Sequence, residues 1–330
     1  MQDKKNLIKT TSFVNGRFID SDSRNNFIKK LSPANKQTIP SIESITDIQL
    51  EQCIEDSLQI FKSGIWSKSE IAHRKKVLMK WSDLIEKEIE NLAYLDALET
   101  GRSYNNFLYD SYPKAIQAMR WFCEAVDKIT GDFININNST RAIVTRESLG
   151  LIGIITPWND PMVISMWKAI PALLMGNSLI IKPAEESSYS ILRAVELSKL
   201  AGVPDGVINV VLGSGEDVGK KLALSNKIQA IFFTGSSEIG KKILTYSGSS
   251  NMKKVGLECG GKSAFILTKN YKDLRKAAKV LAKNIFYNQG QICSAPSRLI
   301  IQNSIKDVFL PILIKESKKY IPKNTFASDA

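Results

Sequence analysis

The sequence predicts an α/β fold: a parallel sheet covered on both faces, followed by a second, incomplete α/β unit. Three observations carry this. Short apolar runs at 151–156, 178–182, 208–212 and 230–234 alternate with amphipathic stretches starting near Pro161, Ser187, Glu216 and Ser237. Strand–helix units of that length stack as parallel strands with helices on either side. Glycines fall at the strand-to-helix turns, above all Gly235, and 330 residues suffice for two cores.

Taken in order, the N-terminal third reads as helices. Between 71 and 98 the apolar positions Val77, Leu78, Trp81, Leu84, Ile85, Ile89, Leu92 and Leu95 recur at helical spacing and give one buried face. A second such segment covers 105–126. The alternation of apolar and polar residues from Arg141 to Glu147 then predicts a strand pair across 131–148. The four sheet strands follow, and ligands in such sheets bind beyond the carboxyl ends of the strands. Asn159, Lys182 and Gly235 fall there. After Gly261 comes a strand, a helix, a cysteine-bearing loop, a strand and a helix, at 263–267, 274–287, 298–301 and 305–320. That last stretch is too short to close a second core, so the sequence reads as a truncated chain.

Composition removes several function classes. Hydrophobic residues make up 43% and charged residues 24%, ordinary values for a globular domain. The longest apolar stretch, 161–181, is interrupted by Lys168, Pro171 and Asn177, so no membrane span is expected. The first residues lack an apolar signal core, and the four cysteines at 53, 123, 259 and 293 show neither CxxC spacing nor disulfide density. Reduced thiols and a cytoplasmic location are the expectation. The one histidine, His73, lies in a Lys/Arg-rich helical stretch, which argues against histidine-dependent nucleophilic catalysis and against a multi-histidine metal site. No metal is expected. The net charge of +12 is spread over scattered lysine pairs without aromatic interleaving, so no nucleic-acid partner is expected.

The turn Phe233-Thr-Gly-Ser-Ser-Glu-Ile-Gly240 joins a strand to a helix. Gly235 permits close backbone approach, the helix N-terminus offers free N–H groups to a phosphate, and Ser236 adds a hydroxyl. A glycine placed only for packing explains the same turn. The run Gly235-x4-Gly240-Lys241-Lys242 misses the Ser/Thr of an ATP-binding loop. Gly213-Ser-Gly215 with Gly219 reads as a helix-start turn.

Five blocks in one order give these pieces a common meaning: Thr156-Pro-Trp-Asn159, Lys182-Pro-Ala-Glu185, Phe233–Gly240, Leu257-Glu-Cys-Gly-Gly-Lys262 and Asn288-Gln-Gly-Gln-Ile-Cys293. With them the sequence resembles the aldehyde dehydrogenase superfamily over nearly its whole length, closest in texture to the branch acting on γ-glutamylaminobutyraldehyde, betaine aldehyde and related aminoaldehydes. The resemblance implies a Rossmann-like cofactor domain over 1–260, including the N-terminal helices and the bridging strand pair. It implies a partial catalytic domain over 261–330. By the same resemblance Cys293 matches the nucleophile, Glu258 the general base and Asn159 the side-chain donor to the oxyanion. Thr156, Trp158, Lys182, Glu185, Gly235, Ser236 and Gly240 match the cofactor site, Lys182 and Glu185 at the adenosine ribose. Members of the family are longer and form homo-oligomers, an assembly not carried over to so short a chain.

The chemistry calls for these residue types. An aldehyde gives up hydride poorly until a nucleophile adds to it, and a thiolate adds readily. The thiol must ionise below its free pKa of about 8.5. The resulting oxyanion needs donors, for which the Asn159 amide and the Cys293 backbone N–H are the pair. Water must then cleave a thioester, and with no suitable histidine Glu258 is the base, its pKa expected to rise on burial. A carboxylate at Glu185 favours NAD over NADP, with NADP still possible.

Asp160 stands where an aromatic is common after the asparagine. With Trp167 and Asp110 it is expected to line the substrate channel, where an acid would attract a cationic aminoaldehyde. The small-molecule partner is therefore an aldehyde, and the activity its oxidation to an acid. The alternative is an inactive dinucleotide-binding remnant.

Overall fold

Seven strands form the central sheet of the computed structural model, which describes residues 7–20 and 27–329. Numbered along the chain but taken in spatial order, they are β11 (Lys254–Cys259), β10 (Ala230–Gly235), β7 (Leu151–Ile155), β8 (Ser178–Lys182), β9 (Ile208–Val210), β1 (Ser12–Val14) and β2 (Arg17–Ile19). The five from β11 to β9 run parallel; the apolar runs predict four of them, and β11 is a fifth that they do not mark. Beyond β9, β1 pairs antiparallel with β9 and β2 pairs antiparallel with β1.

That antiparallel edge corrects the all-helical reading of the N-terminal third. Asn15 and Gly16 both sit in the left-handed region, at φ 50° and 75°, which lets two three-residue strands turn back on each other. Asn15 N–H donates to Asn209 Oδ1 at 2.8 Å, tying the turn to the base of β9. A second hairpin, β3 (Phe27–Leu31) with β4 (Thr38–Glu43), follows before the first helix.

Helices cover both faces of the sheet. On one lie α2 (Ile71–Lys87), α3 (Ile89–Thr100), α5 (Tyr112–Ala125), α6 (Pro161–Leu174) and α7 (Tyr189–Ala201), packed on Ile152, Ile154, Leu179 and Ile181. Between α3 and α5, the single turn α4 (Tyr104–Asn106) runs into a π-helical turn, Phe107–Ser111. On the other face α1 (Asp47–Ser63), α8 (Lys220–Leu224) and α9 (Ser237–Gly248) pack on Leu151, Ile155, Ile180 and Ile231. Alternate residues of one strand thus enter opposite cores, so these runs are apolar throughout.

The continuous helix read over 71–98 is two helices. The chain breaks at Glu88, whose N–H is shared between Leu84 and Ile85 carbonyls. No proline or glycine marks the break; α2 packs against α5 and α7, while α3 re-aims along α7.

Within α3, Asp96 is fully buried and its Oδ2 accepts from the Tyr112 hydroxyl at 2.8 Å. Burial raises its carboxyl pKa to about 8. A folded-state pKa above the unfolded value gives stability that is full below about pH 4 and is lost as pH rises through 8. Asp96→Asn should therefore flatten the fall in stability between those pH values, measured by urea melts. An unchanged slope would contradict this.

β5 (Asp132–Asn135) and β6 (Arg141–Val144) form the expected strand pair, an exposed antiparallel hairpin. After the main sheet, β12 (Ala264–Leu267) pairs parallel with β13 (Arg298–Ile301). They pack with α10 (Leu274–Phe286) and α11 (Asn303–Ser317) around a small core that includes Leu267, Ala278, Leu281 and Phe309. Among the described residues no helix is long and apolar enough to cross a membrane.

Candidate active site

Strand register gathers the motif residues at one edge. Lys182, Ile155, Phe233 and Leu257 pair in a row across β8, β7, β10 and β11, and Thr234 pairs with Glu258 one position further. The turns leaving this edge form one wall of a cleft of about 1400 Å³. The loop 290–297, rising between α10 and β13, forms the other. That volume exceeds the roughly 300–1,000 Å³ of ordinary small-ligand pockets.

Ten of the expected site residues line the cleft: Cys293, Asn159, Thr156, Trp158, Lys182, Glu185, Gly235, Ser236, Asp160 and Trp167. Cys293 is the one exposed thiol among the cysteines; Cys53 and Cys123 are buried and Cys259 is half-buried. Asn159 lies between β7 and α6, and its Nδ2 donates to the Gln291 carbonyl at 2.8 Å, two residues before Cys293. One amide N–H thus holds the asparagine against the cysteine loop and leaves the second N–H free to donate.

The cofactor-site residues meet as a unit. Lys182 ends β8 with its side chain only 1% exposed, and its Nζ contacts Glu185 Oε2 at 3.0 Å and the Pro183 carbonyl at 3.1 Å. Burial lowers the pKa of this ammonium, opposed by Glu185. Glu185 Oε1 accepts from the Gly215 N–H at 2.8 Å, linking the turns after β8 and β9. Ser236 caps α9 by accepting from Ile239 N–H at 3.2 Å. At Gly235 a Cβ would lie 2.4 Å from the tip of the Phe233 ring, so a side chain there would have to displace that ring. The hydroxyls of Thr156 and Thr234, both in the cleft wall, have no hydrogen-bond partner among the described residues. Orphaned hydroxyls, a helix N-terminus and a tight glycine turn around one cleft are what a phosphate-bearing dinucleotide requires.

Three of the expected site residues lie outside the cleft wall. Glu258 is exposed and outside the cleft wall, although its neighbours Cys259 and Gly260 line it. The reason is that β11 is the edge strand of its sheet. Gly240 does not face the cleft: it is buried in α9, where a Cβ would lie 2.9 Å from Cys259 Sγ, so its role is helix–strand packing. Asp110 is absent from the wall as well; Lys114 Nζ at 2.8 Å and the Tyr287 hydroxyl hold its carboxylate.

Asp160 is a fourth, subtler change. It does border the cleft, but only 13% of its side chain is exposed and Oδ2 pairs with Arg102 Nη1 at 3.3 Å. Burial raises its pKa, and Arg102 opposes the shift. It is no free acid waiting for a cationic aldehyde.

Sequence reasoning missed Arg102, Tyr287 and Lys168. Lys168 of α6 is half-buried; burial lowers its pKa, and the nearby Glu258 carboxylate opposes that shift. Lys168 does not itself line the cleft, and nothing in its sequence neighbourhood marks its proximity to Glu258, which lies 90 residues further on.

Comparison with known proteins places the chain among aldehyde dehydrogenases. The profile described as the Aldehyde dehydrogenase family matches residues 18–330. The NADP/NAD-dependent aldehyde dehydrogenase PuuC of Escherichia coli K12 is 41% identical over 315 residues, which is 96% of this chain and 63% of PuuC. An indole-3-acetaldehyde dehydrogenase solved with NAD+ superimposes with a TM-score of 0.95 at 36% identity, covering 98% of this chain and 66% of that one. A γ-glutamyl-γ-aminobutyraldehyde dehydrogenase from Burkholderia cenocepacia J2315 gives a TM-score of 0.94 at 34% identity, over 98% and 66%. The chain thus spans under two thirds of the length of PuuC.

Proposed function

We propose a function from one premise that is established: the chain belongs to the aldehyde dehydrogenase family. The proposed activity is oxidation of an aldehyde to a carboxylic acid with NAD, or NADP, as acceptor. The observation that carries it is the exposed thiol of Cys293 in the same cleft as Asn159, whose amide reaches the cysteine loop at 2.8 Å.

In this reading the Cys293 thiolate adds to the carbonyl carbon, forming a C–S bond and an oxyanion. The second Asn159 N–H and the Cys293 backbone N–H stabilise that charge. A dinucleotide bound in the cleft would supply the hydride acceptor; collapse of the oxyanion with loss of hydride then leaves a thioester on Cys293. Lys182 and Glu185 hold the adenosine ribose, and Thr156, Trp158, Thr234 and the Gly235–Ser236 turn border the rest of the dinucleotide. Water then attacks the thioester, Glu258 takes its proton, and acid and thiolate are released. Because Glu258 is exposed and outside the cleft wall, it acts on water arriving from outside the cleft, with the Lys168 ammonium close enough to feel its charge.

An aminoaldehyde is the substrate class we favour. Its support is the family neighbour acting on γ-glutamyl-γ-aminobutyraldehyde, not Asp160, whose charge Arg102 already answers. The exposed Glu258 favours a second reading, a chain that binds dinucleotide without turnover. Calorimetric NAD titration beside an NADH-formation assay separates them: binding with turnover supports the enzyme, binding alone the second reading.

Replacing the base tests the hydrolytic step on its own. Glu258→Gln should slow steady-state turnover by about 10²-fold or more, while the first NADH equivalent still forms as a burst. Loss of the burst itself would assign Glu258 to an earlier step.

A further inference from the structure

The two catalytic loops come from distant parts of the chain, yet one buried side chain touches both. Arg102, 2% exposed, follows the left-handed Gly101 that ends α3. Its Nη1 donates to the Asn159 carbonyl at 3.3 Å, and its Nη2 donates to the Tyr287 hydroxyl at 2.7 Å. Its Nε donates to Asn106 Oδ1 at 2.6 Å, and the guanidinium stacks 4.6 Å from the Phe107 ring and 5.1 Å from the Tyr287 ring. Each edge of the planar fork is therefore engaged, a geometry that lysine cannot reproduce.

The loop it holds is one that needs holding. Asn288 and Gln289 adopt φ of 47° and 53°, and Gly290 follows at 77°, three consecutive left-handed residues directly before Gln291-Ile292-Cys293. Non-glycine residues keep such angles only where surrounding contacts over-determine them. Those contacts cross between the loops: Asn288 Nδ2 donates to the same Asn159 carbonyl at 3.2 Å and to the Gln291 carbonyl at 3.2 Å. The Tyr287 hydroxyl in turn donates to Asp110. Arg102 is itself anchored, because Thr325 bonds the Gly101 carbonyl at 2.8 Å and the Tyr104 N–H at 2.9 Å on either side of it.

We propose that Arg102 is the positioning residue that sets the separation between the Asn159 loop and the Cys293 loop, with Asp160 as its counterion. Tyr287 is the arm through which it grips the cysteine side. Asp110 and Asp160 then serve the bridge rather than the substrate. The proposal rests on the catalytic reading of Cys293 and Asn159, but one of its readouts does not.

The test uses Arg102→Met, Tyr287→Phe and the double variant, with Arg102→Lys as the conservative change. Each single variant should lower kcat on the order of 10–100-fold with KM for NAD within about twofold, because misplacement by an ångström costs rate rather than cofactor binding. The double variant should lose little more than Arg102→Met alone, since removing the arginine already breaks the bridge that the Tyr287 hydroxyl serves. Arg102→Lys should restore only part of the rate. Hydrogen–deuterium exchange gives the reading that needs no turnover: amides of 287–293 should exchange at least tenfold faster in both single variants, with α2 and α7 unchanged. If the parent chain shows no aldehyde oxidation, the functional proposal falls while the exchange result still decides the bridge. Unchanged exchange at 287–293 in Tyr287→Phe, a variant that loses one hydroxyl and keeps the ring packing, would overturn the inference. Multiplicative losses in the double variant would overturn it too.

Discussion

Cys293→Ala is expected to lower NADH formation by about 10⁴-fold or more while leaving NAD affinity unchanged, because no other thiol can take its place. Burial pushes the Cys53 thiol up to about 12 and the Cys123 thiol up to about 11, so neither ionises near neutral pH. Both also lie in the cores, Cys53 on α1 and Cys123 on α5, and neither borders the cleft. Cys259 does border the cleft, but its sulfur packs within 2.9 Å of where a Gly240 Cβ would stand, in a slot the α9 backbone fills. Only at Cys293 does exposure coincide with a neighbouring side-chain amide, that of Asn159. Steady-state assays beside calorimetric NAD titration read both halves of the prediction. Residual turnover within tenfold of the parent would mean that another group forms the covalent bond.

The second large effect is structural. Glu99→Ala should destabilise the fold by about 3–5 kcal/mol, since removing one partner strands a buried charge. Glu99 ends α3 with a fully buried carboxylate that pairs with Lys30 Nζ from β3, a lysine that is itself 6% exposed. The same carboxylate accepts from Ser188 N–H at 3.0 Å and Tyr189 N–H at 2.8 Å. Those are the opening amides of α7, whose cap residue Ser188 makes no side-chain capping bond to them and instead donates its hydroxyl to Glu99 Oε1 at 3.3 Å. One side chain thus caps a second helix, complements its dipole and fastens the β3–β4 hairpin to the helical layer. Lys30 also lies 4.3 Å over the Tyr189 ring, a contact that alone cannot replace the carboxylate. Glu99→Gln, which keeps an acceptor for the amides, should lose less than Glu99→Ala. Urea unfolding followed by circular dichroism measures the difference, and a loss below about 1 kcal/mol would show that Lys30 finds another partner.

How far the sequence reaches can be judged from these same residues. The parallel strands β7 to β10 were legible because each is buried on both faces, and a doubly buried strand cannot avoid being apolar. The β1–β2 hairpin carried its own signal, Asn15-Gly16 between alternating residues, but each arm is so short that helical periodicity downstream outweighed it. The break at Glu88 had no such mark, for nothing local ends that helix; packing does. At the site, the motif blocks picked out Cys293, Asn159, Lys182 and Glu185, which line one cleft because their placement depends on neighbours close in sequence or fixed by strand register. The burial expected of Glu258 failed because edge position is a property of strand order, which no residue of β11 announces. Asp160 was read as a free acid because its partner lies 58 residues upstream. A lone arginine after a helix-ending glycine gives no hint that it will touch two loops.

The central claim is that Cys293 carries the acyl group through the reaction. Incubating the chain with NAD and an aldehyde, quenching in acid and mapping peptides by mass spectrometry tests this directly, with Glu258→Gln used to slow release. The expected result is the mass of the substrate acyl group on the Cys293 peptide, dependent on NAD. Turnover with an unmodified Cys293, or an acyl group found on Cys259 instead, would contradict the account.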